Sequence, residues 1–108
     1  MTTVDKKFIT KIKDKEFVVF EGLLDMFHRN GGKDVSTELI KVTGKGTVIF
    51  KAVVSGERGA FEAHGDANAE NVNSMIAPHF IRMAETRAIA RAMRLYNNIG
   101  MTSAEEIA

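Results

Sequence analysis

The chain has 108 residues, the length of one ordinary domain, and 44% of them are hydrophobic, enough for one core without cross-links. With no cysteine, a disulfide framework, a thiolate nucleophile and a Cys-based zinc site are all excluded. A net charge of +1 names no partner by itself. No apolar run reaches the length of a membrane span, and the charged stretch from Met1 to Lys7 has no apolar segment behind it, so the expected location is the cytoplasm.

In chain order, residues 8–20 read as two short strands. Phe8, Ile9 and Ile12 belong to the first, and Phe17, Val18, Val19 and Phe20 to the second. Lys13-Asp14-Lys15-Glu16 forms the polar turn between them. Residues 21–30 read as a short helix with apolar positions at Leu23, Leu24, Met26 and Phe27, stopped by Asn30-Gly31-Gly32. Residues 34–43 alternate as a strand with Val35, Thr37, Leu39 and Lys41 on one face. Gly44-Lys45-Gly46 then turns the chain into residues 47–54, where β-branched and aromatic side chains dominate. Ser55 to Gly59 is a second turn and residues 60–66 a returning strand, which completes a three-stranded antiparallel meander.

Asn68 to Ala77 approaches a long helix, with Asn68 capping a short turn and Glu70 in that turn. Pro78 suits the first turn of the long helix, which spans about His79 to Asn97 and ends at Gly100. Thr102 or Ser103 caps a last turn at Ala104-Glu105-Glu106. The order ββ-α-βββ-α segregates strands from helices, so the expected fold is α+β: an antiparallel sheet packed against a long C-terminal helix. Residues 1–108 form one domain, with flexible ends expected at about 1–6 and 101–108.

Charge distribution says more than net charge. All nine lysines lie between Lys6 and Lys51, whereas Arg82, Arg87, Arg91 and Arg94 crowd one segment holding a single acid, Glu85. On a helical wheel, Ile81, Ala88, Ala92, Leu95, Tyr96 and Ile99 share one arc, with Ile89 and Met93 at its edge and Glu85 near it. Arg87, Arg91 and Arg94 fall on the opposite side, within about 60° of one another, and Asn98 continues their line. The apolar arc is expected on the sheet, and the arginines in a row about 5–6 Å apart with no acid on their face. Like charges so spaced weaken a helix by a few tenths of a kcal/mol per pair. A guanidinium also grips phosphate with two bonds and stacks on bases. A row of three therefore suits a polyanion, and the competing reading is a solvated face or pairing with acids elsewhere in the fold.

Glu85-Thr86-Arg87-Ala88-Ile89-Ala90-Arg91-Ala92-Met93-Arg94, followed by Leu95-Tyr96-Asn97-Asn98-Ile99-Gly100, resembles the last core helix of single-strand annealing proteins of the Rad-fifty-two type and related phage recombinases. Upstream, Phe17 to Leu24 is similar to that family's strand running into its first helix, and Asn30-Gly31 to the turn that follows. Thr47 to Ala52 and Phe61 to Asp66 occupy the places of its central hairpin, so the likeness covers residues 15–100. The resemblance implies a curved sheet backed by a helix, self-assembly into rings or filaments, and a basic groove for single strands. It carries basic roles onto Arg91 and Arg94. Where eukaryotic members have a Lys beside the first of these, this chain has Ala90. Arg87 rests on the wheel alone.

The expected function is non-enzymatic binding and annealing of single-stranded nucleic acid, DNA before RNA, in recombination or repair. The protein would act as a homo-oligomer without cofactor, metal or membrane. Arg87, Arg91 and Arg94 would line the groove, Lys45 would add a phosphate contact, and Lys11 and Lys13, with Lys15, would form its second wall. The lysines read equally as a solvated edge strand protected against aggregation. Gly44-Lys45-Gly46-Thr47 lacks the GxxxxGK spacing and leads into a strand, so it reads as a hairpin turn. His28, His64 and His79 have no helical metal spacing. Glu62 and Asp66 show no tuning for acid–base work. Tyr96 is expected in the core. The alternative function is a protein-interaction or assembly module without nucleic acid. A small enzyme would require a histidine beside a carboxylate in a cleft.

Overall fold

The computed structural model describes residues 4–72 and 79–107. A 3-10 turn, Lys6–Phe8, leads into β1 (Ile9–Ile12), which pairs antiparallel with β2 (Lys15–Val18). Phe8 thus precedes the first strand, because Asp5 accepts from the Lys7 amide and winds the chain there. The hairpin turn is only Lys13-Asp14, both left-handed at φ 51° and 67°, the geometry that matches the twist of a two-residue loop. Val19 and Phe20, expected in the second strand, instead open α1 (Phe20–Arg29). The α1 helix stops where Gly31 takes φ 80°, a conformation open to glycine.

Three strands follow in the order β3 (Gly32–Val42), β4 (Val48–Gly56) and β5 (Gly59–Ala67), all antiparallel. Val48, Ala52 and Val54 of β4 are buried under the second helix, α2 (Phe80–Asn97). Their β3 partners are Val42, Thr37 and Val35. Lys41 does not share that face, as alternation alone predicts. A bulge at Ile40 shifts the register, so Leu39 pairs with Phe50 but Lys41 with Ile49. The fold is α+β with α2 packed on the meander.

The α2 helix is central. Ala84 and Ala88 meet the sheet, where Gly65 of β5 lies so close that a Cβ would collide with the backbone of Ala84, Arg87 and Ala88. On another side, Asn97 is fully buried: its Nδ2 donates to the Leu23 carbonyl at 3.0 Å and its Oδ1 accepts from Asn30 at 3.1 Å, tying α2 to α1. Tyr96 is buried as expected, edge-on to Phe27 and Phe61 at 5.0 and 5.6 Å. Its hydroxyl donates to the Asn30 carbonyl at 2.9 Å and accepts from the Arg58 amide at 3.3 Å. Because α2 is covered from several directions, the single apolar arc does not describe it. Ile81 and Leu95, expected on the sheet, are exposed, while Ala90 and Met93, outside that arc or at its edge, are buried. Asn98 in the left-handed conformation (φ 58°), not Gly100, ends the helix. The expected contribution of Pro78, and the segment from Asn73 to Ala77, lie outside the described residues.

The C-terminal segment, expected to be loose, is packed. The Val18 amide donates to the Thr102 carbonyl at 3.1 Å, Ser103 forms a parallel bridge with Val18, and Ser103 is fully buried. It caps the 3-10 turn Ala104–Glu106 in a reciprocal box with Glu106. Near the other end, Val4 packs against the core.

Candidate nucleic-acid interface

The structure brings Arg87, Arg91 and Arg94 together on one side of α2, but that side faces the outer edge of β5 and the C-terminal turn. Arg87 is buried. Its Nη1 donates to the Asp66 carbonyl at 2.8 Å and to Asn71 Oδ1 at 3.2 Å, its Nη2 to the Asn71 carbonyl at 2.9 Å, and its Nε to the Glu105 carbonyl at 3.3 Å. Burial draws its pKa below the ordinary arginine value; Asp66 opposes that shift and Arg91 adds to it. Arg91 donates through Nη1 to the His64 carbonyl at 2.9 Å and through Nε to Glu106 at 3.2 Å. Arg94 donates to the same Glu106 oxygen at 2.7 Å and to the Gly100 carbonyl at 3.0 Å.

The arginine row is therefore not free of carboxylates, and it does not line an open channel. Glu106 lies 12 residues beyond Arg94 in sequence and is carried back by the turn at Asn98. A wheel that counts only helix neighbours cannot see it. Arg87 and Arg91 also reach carbonyls of β5, the strand that forms one side of the three-stranded sheet.

Glu106 holds the cluster. Its side chain is only 6% exposed. One oxygen receives both arginines, and the other accepts from the Ser103 amide at 2.8 Å and hydroxyl at 2.6 Å. Burial alone would raise its pKa. The Ser103 hydroxyl and amide, then Arg94 and Arg91, outweigh that and hold it below the usual carboxylate range. Its neighbour Glu105 goes the other way, raised mainly by burial. Two guanidinium groups thus share one carboxylate, and one of them, Arg91, keeps a side chain 38% exposed. Arg94 Nε has no hydrogen-bond partner among the described residues.

The predicted lysines sit apart from this cluster and are exposed. Lys11 lies opposite Glu16 in the hairpin and Lys13 occupies its turn. That hairpin continues through β2 to Val18, which is bonded to the C-terminal segment carrying Glu106. Lys45 projects from the β3–β4 turn, next to Thr47, whose hydroxyl accepts from Asn68. Asn68 does cap a turn as expected, accepting from the amides of Glu70 and Asn71. Sequence reasoning missed Asn71 and Glu106. The spacing Ser103-x-x-Glu106, that of a capping box, was the available signal for the second.

Among the described residues no three His, Asp or Glu side chains group so as to hold a metal ion, and no helix is long and apolar enough to cross a membrane. A cavity of about 240 Å³ lined by Asp5, Lys7, Asp25 and Arg29, among others, contains no histidine. No family model, curated protein or solved structure matches this chain.

Proposed function

We propose that this protein binds single-stranded nucleic acid, DNA in preference to RNA, and promotes strand annealing without enzymatic chemistry, as a homo-oligomer of the Rad-fifty-two type working in recombination or repair. The observation that carries the reading is the charge excess at Glu106: two guanidinium groups converge on one carboxylate, and Arg91 stays partly open to solvent. A phosphate oxygen approaching Arg91 meets a cation whose charge is only half met. A phosphate that displaces Glu106 gains both forks at once, with the geometry guanidinium groups favour. Lys11 and Lys13, exposed on the hairpin that β2 ties to the C-terminal segment, supply further phosphate contacts apart from the arginine cluster. Arg87 is withdrawn from the contact set, because its donors are committed to the β5 edge and the Asn71 turn.

The test is fluorescence anisotropy with a labelled oligonucleotide over a range of salt. Each phosphate neutralised on a single strand adds about −0.7 to the slope of log K against log salt. Arg91→Ala with Arg94→Ala should weaken binding and flatten the slope by about 1.4. Glu106→Gln, which frees both arginines, should tighten binding. Binding unchanged in the double arginine variant would end this reading. Matched DNA and RNA oligonucleotides test the sugar preference, and pairing of complementary labelled strands without nucleotide tests annealing.

A second reading, an assembly module that binds no nucleic acid, is favoured by one observation: β3 is exposed along almost its whole length. There Glu106 is the permanent partner of Arg91 and Arg94, and the wild-type protein shifts no oligonucleotide at any salt.

A further inference from the structure

The two edges of the three-stranded sheet differ. At β5, Arg87 and Arg91 cover carbonyls of Asp66 and His64. At β3, which pairs among the described residues with β4 alone, eleven residues run along the edge and all after Gly32 are exposed. Val35, Leu39, Ile40 and Val42 are among the exposed large apolar side chains, Leu39 at 53%. Open edges of this length invite pairing, and proteins that avoid it place lysine, proline or bulges along them. Here both bulges, at Lys33 and Ile40, and both lysines, Lys33 and Lys41, fall at the ends. Asp34 to Leu39 is left as a regular stretch without lysine, proline or bulge, its charges being those of Asp34 and Glu38.

We propose that β3 pairs antiparallel with β3 of a second copy of this chain, across a twofold axis at Thr37, making one continuous six-stranded sheet. The proposal rests on the assembly part of the reading above and needs no nucleic acid. Charge selects the register. A twofold axis normal to the sheet keeps each face on its own side, so the axis must pass through a residue. Centred on Ser36, the strands would set Asp34 against Glu38, like charges directly opposed. Centred on Glu38, that residue would face itself. Centred on Thr37, Val35 meets Leu39 of the second copy on the helix side, and Ser36 meets Glu38, whose charge Lys51 already neutralises at 3.6 Å. Beyond these, the bulge at Ile40 carries Lys41 onto the face of Asp34, whose β4 partner Ser55 lies on the same side as Ile49 opposite Lys41. Apolar and opposite-charge cross-strand pairs are the stabilising kind, and directly opposed like charges the destabilising kind. Because the contact uses the β3 edge alone on both sides, it is isologous and closes at two copies, whereas a head-to-tail array would use the β5 edge as well.

The absence of cysteine makes the test clean. Thr37→Cys places one thiol per chain on the axis, where directly opposed strand residues have Cα atoms about 4.5–5.5 Å apart, within disulfide range. Mild oxidation should convert this variant to covalent dimer, whereas Cys substituted for the exposed Glu62 of β5 (Glu62→Cys) should stay monomeric on a non-reducing gel. By sedimentation velocity without nucleic acid, the wild type should have twice the chain mass. Val35→Lys with Leu39→Lys should have the mass of one chain while keeping its circular dichroism. Asp34→Lys should shift the protein towards monomer, and adding Lys41→Asp should restore the dimer. An oligomer that Thr37→Cys does not trap would overturn this pairing and leave assembly standing. A wild-type protein monomeric at every concentration would overturn both.

Discussion

Arg87 shows how a cation becomes part of a core. Its fork is filled by carbonyls of Asp66, Asn71 and Glu105 and by the Asn71 side chain, so it acts as a bracket between α2, the β5 edge and the C-terminal turn. Removing it strands several buried acceptors, each costing part of its desolvation energy. Arg87→Ala should therefore lower stability by about 2–3 kcal/mol, read as a reduced urea midpoint, with the salt slope of oligonucleotide binding unaltered. A flattened slope would return Arg87 to the interface. Tyr96 is a gentler case. Tyr96→Phe keeps the ring contacts with Phe27 and Phe61 but leaves the Asn30 carbonyl without its hydroxyl donor, a loss of about 1 kcal/mol. The wheel places Arg87 in the groove with Arg91 and Arg94, and Tyr96 in the core. It could not mark the destination of Arg87, because its partners come from two distant stretches of chain, Asp66 with Asn71 and Glu105.

At the scale of elements, α2 explains both what was legible and what was not. Its extent and its role as the main packing helix follow from composition and periodicity. Its faces do not, because a wheel presumes one buried side and this helix has the sheet, α1 and the C-terminal turn around it. Small residues are the trace of that crowding: Ala84, Ala88, Ala90 and Ala92 are all fully buried. The closest approach is at Gly65, where helix backbone occupies the space of a side chain. Gly65→Ala should force α2 away from β5, at the upper end of the roughly 1–3 kcal/mol that overpacking costs. The melting temperature should fall, and Arg87 should lose its bond to the Asp66 carbonyl at the same time, because Asp66 sits on β5. If Gly65→Ala melted with the wild type, the helix would not be seated as described. The strands were legible for a related reason: turn residues such as Gly44-Lys45-Gly46 and Asn30-Gly31 punctuate locally, whereas the register shift at Ile40 depends on β4 and is invisible to alternation.

Across the whole molecule, the C-terminal turn closes the fold, and two adjacent carboxylates there should respond to pH with opposite sign. Glu106 is held below its ordinary pKa, chiefly against burial by Ser103 and the two arginines. A carboxylate depressed on folding contributes stability that is complete above its unfolded pKa and is lost as pH falls through the folded value. Glu105 is raised by burial. Its contribution is complete below the unfolded pKa and is lost as pH rises through the folded value. Near neutrality, then, Glu106→Gln should destabilise by about 2 kcal/mol, the scale of charge-assisted hydrogen bonds, which is about 8–16 °C in melting temperature for a domain of this size. Glu105→Gln should stabilise slightly at the same pH. In acid, below the folded pKa of Glu106, the Glu106→Gln deficit should shrink, and the Glu105→Gln gain should vanish below the unfolded pKa of Glu105. Melting curves of both variants and the wild type across acid to neutral pH check the pair together. Parallel profiles for the two variants would mean that the C-terminal turn is not docked against α2, and the arginines would then be free of Glu106 in solution.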